Sequence, residues 1–195
     1  TISLITIFHM VEHLENNTLL KLIEECYRVL STEGVLIIET PSIDNLLVST
    51  NLFYLDQTHI NHINPDSLSF FLNQLGFDHT KYFHINGGPL EDSKPVKITR
   101  ILNGVAQDVV IVSTKSKAMS KVIFHPDSSW ESTLNKGITT LEAAVEYDLE
   151  LEKIIHSFES SKMLKKEFNS LNEELILLKS KLKHFIYILD IVRVI

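Results

Sequence analysis

At 195 residues, 44% apolar and 22% charged, the chain has the composition of a folded domain with one core of ordinary size and room for an appendage. Its formal net charge is −7, and no basic cluster is long enough to track a phosphate backbone, which argues against nucleic acid as the main partner. No apolar run reaches the roughly 20 residues that a membrane-spanning helix needs.

Residues 2–8 are continuous, apolar and β-branched, as in a strand covered on both faces. They lack the basic region and small-residue cleavage site of a signal peptide. The run breaks straight into a cluster of His9, Glu12 and His13. Asn16 or Asn17 can cap a helix that ends near Leu30, with Leu19, Leu20, Ile23, Cys26, Tyr27 and Leu30 at helical spacing. Cys26 is the only cysteine, so an intrachain disulfide and most cysteine-based zinc sites are excluded. A packing role and a reducing compartment suit it. Gly34 terminates the connection, and residues 35–39 form the next strand, followed by Thr40-Pro41. The polar, aromatic segment 42–63 shows no clear periodicity. Asn64-Pro65 then opens a short helix with a buried stripe of Leu68, Phe71, Leu72 and Leu75, ended by Gly76. Residues 77–85 read as a strand, Gly87-Gly88-Pro89 as a break, and 109–113 as another strand. This order implies an α/β sheet that ends in an antiparallel hairpin.

A linker with His125-Pro126-Asp127 and the only tryptophan, Trp130, leads to a segment without proline or glycine from Thr140 on. There Leu164, Phe168, Leu171, Leu175, Leu178, Leu182, Phe185 and Leu189 alternate steps of four and three, a heptad seam. Tyr147, Leu151, Ile154, Phe158 and Ser161 keep the alternation upstream, and the step from Ser161 to Leu164 is a stammer. The tail 185–195 is apolar but short, and carries Asp190 and Arg193. A helix of about 50 residues is about 75 Å long and wants partner helices, so self-association through 140–195 is expected.

The His9–His13 cluster admits more than one chemistry. His-x-x-Glu-His matches the inverted zincin pattern, in which two histidines bind zinc and the glutamate is the general base. Here, however, the first histidine follows a strand, the helical stripe begins only after Asn16, and no third ligand has the usual downstream spacing. The plain alternative is a polar strand end with satisfied histidines. No metal is expected. The six glycines form no G-x-G pair, so the chain carries one wall of a nucleotide-type site and no phosphate cradle.

A third reading comes from resemblance. LITIFHMVEHLENN…LLKLIEECYRVLSTEGVLIIETP resembles the central block of class I S-adenosylmethionine (SAM) dependent methyltransferases. In that family the fourth strand ends in a His-x-x-Glu-His type motif, followed by a helix and a strand ending in proline. Asn51-Leu52-Phe53-Tyr54-Leu55-Asp56-Gln57-Thr58-His59, with Pro65, Phe71-Leu72 and Gly76-Phe77, is similar to a stretch of bacterial methyltransferases associated with O-antigen and other surface-glycan synthesis. Gln107-Asp108-Val109-Val110 resembles their closing strand. Gln57 stands where that group usually has proline. The similarity covers about the first 117 residues and begins at the fourth strand. The three earlier strands, the glycine-rich SAM loop and the acidic residue that holds the cofactor ribose are outside the chain.

The resemblance implies the second half of a Rossmann-like methyltransferase sheet (1–117), a linker (118–139) and a coiled-coil helix (140–195). It implies SAM as cofactor in a longer protein, with Phe8 and His9 beside the methionine end of SAM. His9, Glu12, His13 and His59 become the catalytic candidates, His59 or His13 serving as base, since histidine titrates nearest neutral pH. Tyr54, Asp56 and His59 become the substrate-side residues, and the acceptor a surface glycan or its lipid-linked precursor. For His62 and His84 an exposed or core role is expected. The implied location is the cytoplasm or the inner face of the membrane. The competing reading is a coiled-coil assembly module that carries a degenerate, non-catalytic methyltransferase half.

Overall fold

A computed structural model describes residues 2–94, 96–125 and 136–194, with 181–194 described by backbone alone. Pro126, Asp127 and Trp130 of the expected linker lie outside the described residues, as do the side chains of Leu182, Phe185 and Leu189. The chain divides into two units, Thr1–Tyr147 and Asp148–Ile195.

In the first unit a mixed sheet of four strands has the order β1-β2-β4-β3: β1 (Ile2–Phe8), β2 (Leu30–Pro41), β3 (His79–Gly87) and β4 (Ala106–Thr114). β1 runs parallel to β2, while β4 is antiparallel to both β2 and β3. The helix α1 (Asn16–Val29) makes the parallel crossover between β1 and β2. The short helix α2 (Leu46–Thr50) and α3 (Pro65–Leu75) follow β2, α4 (Ile98–Asn103) joins β3 to β4, and α5 (Lys117–Ile123) follows β4.

Alternation along the strands builds two apolar layers. On one face Ile7, Leu36, Ile38 and Ile111 pack with Leu19, Ile23 and Cys26 of α1 and Leu68 and Leu72 of α3. On the other, Ile85, Val110 and Val112 pack with Val35, Ile37, Phe83 and Ile123. α3 is bounded by the signals its sequence carries. The Asn64 side chain accepts from the Ser67 amide at 2.9 Å, Pro65 occupies the first turn, and Gly76 stands at φ 102°.

The second strand is longer than the expected 35–39. α1 stops at Val29, and Leu30 is already extended. The register jumps from Ile2 opposite Leu30 to Leu4 opposite Val35. Gly34 therefore lies inside an irregular strand, not at its entrance, and a Cβ there would stand 2.5 Å from Leu30 Cγ. The carbonyls at the end of α1 are taken by Lys115, whose ammonium donates to Tyr27 O at 2.5 Å and Leu30 O at 2.7 Å. Burial there holds the Lys115 pKa below its ordinary value.

Full cover of β1 is not found. Ile2, Leu4 and Phe8 are exposed, because among the described residues only β2 pairs with this strand. The start of the expected linker is helical as well: Ser116 caps α5 by accepting from Met119 N at 3.2 Å.

The long helix α6 (Thr140–Val194) begins within the first unit. Thr139 and Glu142 form a capping box. The Thr139 amide donates to Glu142 Oε2 at 2.8 Å, and the Glu142 amide donates to Thr139 Oγ1 at 3.2 Å. In the second unit, Leu164, Phe168, Leu171, Leu175 and Leu178 are all exposed.

Candidate active site

The site gathers at the carboxyl ends of β1 and β2, the edge where open α/β sheets place ligands. Immediately after β1, His9 adopts φ 46°, a left-handed conformation uncommon for a residue with a Cβ. This turns the chain off the sheet while its amide still donates to Glu39 O at 3.0 Å. A 3-10 turn, Val11–His13, follows directly. It sends Val11 and Glu12 into the core, both completely buried. His13 is turned outward from the same short element.

His9 stands among three carboxylates. Its Nδ1 is 3.3 Å from Glu12 Oε1, and its Nε2 is 3.4 Å from Glu39 Oε1 and 3.8 Å from Asp108 Oδ1. Glu39 lies two residues before the end of β2, and Asp108 lies opposite Pro41 on β4. The second oxygen of Glu12, Oε2, accepts from the Thr40 hydroxyl at 3.0 Å. Oε1 lies within ion-pair reach of His9 but has no hydrogen-bond partner. A fully buried carboxylate oxygen without a donor is costly and calls for an explanation.

The third wall is the loop 51–63. Ile60 and Asn61 both donate backbone amides to Glu12 O at 3.0 Å, which fastens the loop to the 3-10 turn. This brings His59 beside His13, with ring centroids 4.6 Å apart. Each histidine is held through Nδ1. His59 Nδ1 lies 2.8 Å from Phe53 O, and a carbonyl only accepts, so this nitrogen carries the proton. His13 Nδ1 lies 2.8 Å from Thr58 Oγ1, whose own hydrogen goes to Asp56 Oδ1 at 2.6 Å. His13 Nδ1 is therefore the donor to Thr58. The Thr58 hydroxyl and amide hold the Asp56 carboxyl below its ordinary pKa, which keeps that acceptor ionised. With Nδ1 as the donor, the second nitrogen of each ring is Nε2, which in His59 lies 3.9 Å from Asp56 Oδ2.

Of the residues marked out in the sequence, His9, Glu12, His13, Asp56 and His59 converge here. Tyr54 does not. It is 63% exposed, and its hydroxyl meets His62 Nε2 at 3.3 Å. Phe8, paired with Glu39 on the ladder, is 56% exposed. His62 stacks on Phe53 with centroids 3.7 Å apart, and His84 stands 3.5 Å from both Ser42 Oγ and Asp44 Oδ2. Thr40, Thr58, Glu39, Asp108 and Phe53 are site residues that motif reading missed. Thr40-Pro41 and Asp108 were visible as strand ends, but which side chain each would meet depends on the folded loop.

A cavity of about 150 Å³ opens beside His59, lined also by Pro41, Leu52, Phe53, Gln107 and Asp108. Another, of about 250 Å³, lies between α1 and α3 and holds His62 but none of the converging residues. Among the described residues, two groups bring three possible metal-ligating atoms within 4.8 Å of one another: Glu12, His13 and His59, and His9, Glu39 and Asp108.

No family model matches the chain, and no curated protein matches it. Among solved structures it is similar to a SAM dependent methyltransferase from Archaeoglobus fulgidus, with 30% identity and a TM-score of 0.49, over 57% of this chain and 58% of that one. It is also similar to the small RNA methyltransferase HEN1, with 14% identity and a TM-score of 0.38, over 60% of this chain and 14% of that one. The chain thus spans little more than half the length of the first of these. No helix of the described residues is long and apolar enough to cross a membrane.

Proposed function

We propose that the chain is the acceptor-side half of a SAM-dependent methyltransferase that acts on a surface glycan or a lipid-linked glycan precursor. The reading is supported first by the sequence resemblance over 1–117. The observation that carries it furthest is the convergence of His9, Glu12, His13 and His59 at one strand edge, next to a cavity. Exposed β1 is the edge at which a longer protein would add its SAM-binding strands, and the reading needs such a protein.

In that enzyme SAM would supply the methyl group to an acceptor hydroxyl, and a residue of this chain would take up the hydroxyl proton. His59 has the geometry for that role: Nδ1–H is pinned to Phe53 O, so Nε2 accepts the proton. A base of this kind contributes about 10²–10⁴-fold, and alignment of acceptor, methyl and sulfur contributes more. His9, set among Glu12, Glu39 and Asp108, would fix the methionine end of SAM.

The test has two arms. Isothermal titration with SAM should give binding to a longer protein that includes the preceding strands, and none to the 195-residue chain. Transfer of labelled methyl groups to a lipid-linked glycan by that longer protein should be lost in a His9→Ala, His59→Ala variant. Full activity of the variant would remove the site assignment. A longer protein that binds no SAM would leave the assembly-module reading, for which the exposed Leu and Phe stripe of α6 speaks.

A further inference from the structure

We infer that Glu12, His13 and His59 form a binding site for one divalent transition-metal ion. One ligand atom from each of the three residues already lies within 4.8 Å of the others. Two imidazoles and one carboxylate are the donor set of three-ligand sites that leave coordination positions open. Nitrogen donors favour Mn²⁺, Fe²⁺, Co²⁺ or Zn²⁺ over the all-oxygen preference of Ca²⁺ and Mg²⁺.

Three further observations point to a ligand at this place. The first is the tautomer of both histidines. Nδ1 of His59 is fixed by Phe53 O, and Nδ1 of His13 by the Thr58–Asp56 pair, so each ring presents an Nε2 lone pair. Metal-binding histidines are oriented in this way, by a carbonyl or a carboxylate behind the ring. The second is the Glu12 carboxylate itself. It is completely buried, Oε2 accepts from Thr40, and Oε1, 3.3 Å from His9 Nδ1, lacks a hydrogen-bond donor. A cation held by this carboxylate would offset its buried charge. The third is rigidity: the Ile60 and Asn61 amides clamp the His59 loop onto the Glu12 backbone. Metal–nitrogen distances near 2 Å set ligand atoms about 3–3.5 Å apart, so the three groups close by on the order of 1 Å on binding. A movement of that size is within reach of small side-chain torsions, with the loop clamp and the Nδ1 hydrogen bonds kept.

The neighbouring group of His9, Glu39 and Asp108 carries no such argument. Its spacing is that of one histidine paired with carboxylates, and it has no unpartnered buried atom of its own.

The site rests on geometry and does not require the methyl-transfer reading. It bears on that reading in one respect. A bound cation takes the Nε2 lone pair that a base at His59 would use, so ligand and base are alternative roles for that ring. An open position on such a cation lowers the pKa of a coordinated water or hydroxyl.

The experiment is titration of the full chain, stripped with chelator, with Co²⁺, followed by visible absorption and calorimetry. The expected result is one Co²⁺ per chain, with at least 100-fold weaker binding in His13→Ala, His59→Ala and Glu12→Gln. Thr58→Val, which removes the support behind His13, should weaken binding about 10–100-fold. Co²⁺ should raise the melting temperature of the wild-type chain and not that of His59→Ala, a loop variant whose fold is checked by far-UV circular dichroism in chelator. Absence of binding at millimolar Co²⁺ would overturn the site and leave the base role of His59 standing. Binding retained by a His13→Ala, His59→Ala variant would overturn it too, as would binding lost in Asp108→Asn, which would put the ion at the neighbouring cluster.

Discussion

The Thr40 hydroxyl donates to Glu12 Oε2 at 3.0 Å, across 28 residues of chain. Both side chains are completely buried, so this bond ties the end of β2 to the turn that follows β1 inside the core. It also decides which Glu12 oxygen remains for the site. Oε2 is spent on the scaffold, and Oε1 faces His9 without a donor.

Thr40→Val keeps the shape of the side chain and removes its donor. Glu12 would then have both carboxylate oxygens buried without a hydrogen bond. The expected loss is about 1–3 kcal/mol, or on the order of 2–4 °C in melting temperature per kcal/mol. Thr40→Ser keeps the hydroxyl and should stay within about 1 kcal/mol of wild type. Thermal melts of the pair decide it: equal melting of Thr40→Val and wild type would show that Glu12 does not depend on Thr40.

Gly76→Ala should be costly for two reasons that can be separated. Gly76 sits at φ 102°, where an L side chain is strained, and a Cβ there would stand 2.7 Å from the Tyr27 hydroxyl. Tyr27 has little room to retreat, since its ring packs edge-on against Phe77 at 5.1 Å and beneath the Lys115 ammonium at 4.2 Å. Backbone strain alone contributes about 1–3 kcal/mol. Adding Tyr27→Phe to Gly76→Ala should recover the part due to the hydroxyl and leave the strain. Urea unfolding of the single and double variants measures both parts, and a Gly76→Ala midpoint equal to wild type would refute the clash.

Arg100 is nearly buried and has two partners: Nε donates to Glu91 O at 2.8 Å, and Nη1 to Glu146 Oε2 at 2.6 Å. The hydrogen bond from Arg100 holds the Glu146 carboxyl below its ordinary pKa of 4.5. A carboxylate with a depressed folded pKa contributes stability above its unfolded pKa, and this stability fades as the pH falls through the folded value. Glu146→Gln should thus lose about 1 kcal/mol at neutral pH, discounted for the half-exposed carboxylate. It should also show a shallower decline of stability below pH ~4.5 than wild type. Denaturant melts between pH 3 and pH 7 test this, and parallel pH profiles for the two proteins would count against it.

The sequence was legible where local rules decide the outcome. Asn64-Pro65 and Gly76 mark α3 because capping and a left-handed terminus are chemical properties of those residues. The Leu68 and Leu72 stripe follows from the helical repeat. The segment 42–63 was opaque for the opposite reason. α2 is held by Asn45, whose side-chain oxygen accepts from the Leu47 and Val48 amides while its nitrogen donates to Val105 O, just before β4, and to Ala106 O at its start. Those partners are far away in sequence, and no short apolar period announces them. The candidate site divides in the same way. His9, Glu12, His13 and His59 stand out as residue types in a motif. That Glu12 is buried, that Thr40 binds it, and that Thr58 and Phe53 fix two ring tautomers are consequences of loop closure. β1 shows a different limit: its composition reads as a strand covered on both faces, and among the described residues only β2 lies alongside it.

The last prediction concerns α6. In the second unit Leu171, Leu175 and Leu178 are 64%, 48% and 62% exposed, and Leu164 and Phe168 extend the same four–three alternation. Apolar surface left in water costs roughly 25 cal/mol per Å², so a stripe of this length favours association. A second copy of the same helix supplies a matching stripe at the same repeat, which makes self-association the expected outcome. Leucine at most positions does not set the number of strands, because that choice rests largely on β-branched residues. Phe168 is bulky for a two-stranded seam and favours three or more helices, or packing on another domain. The stammer between Ser161 and Leu164 should distort the supercoil locally. Light scattering at tens of micromolar should therefore give an oligomer for the wild-type chain, and a monomer for the variant Leu171→Asp, Leu175→Asp, Leu178→Asp. The helix should lose much of its content in that variant, since single helices of this kind draw their stability from packing. A wild-type chain that is already monomeric under these conditions would mean that the stripe is not a self-association seam.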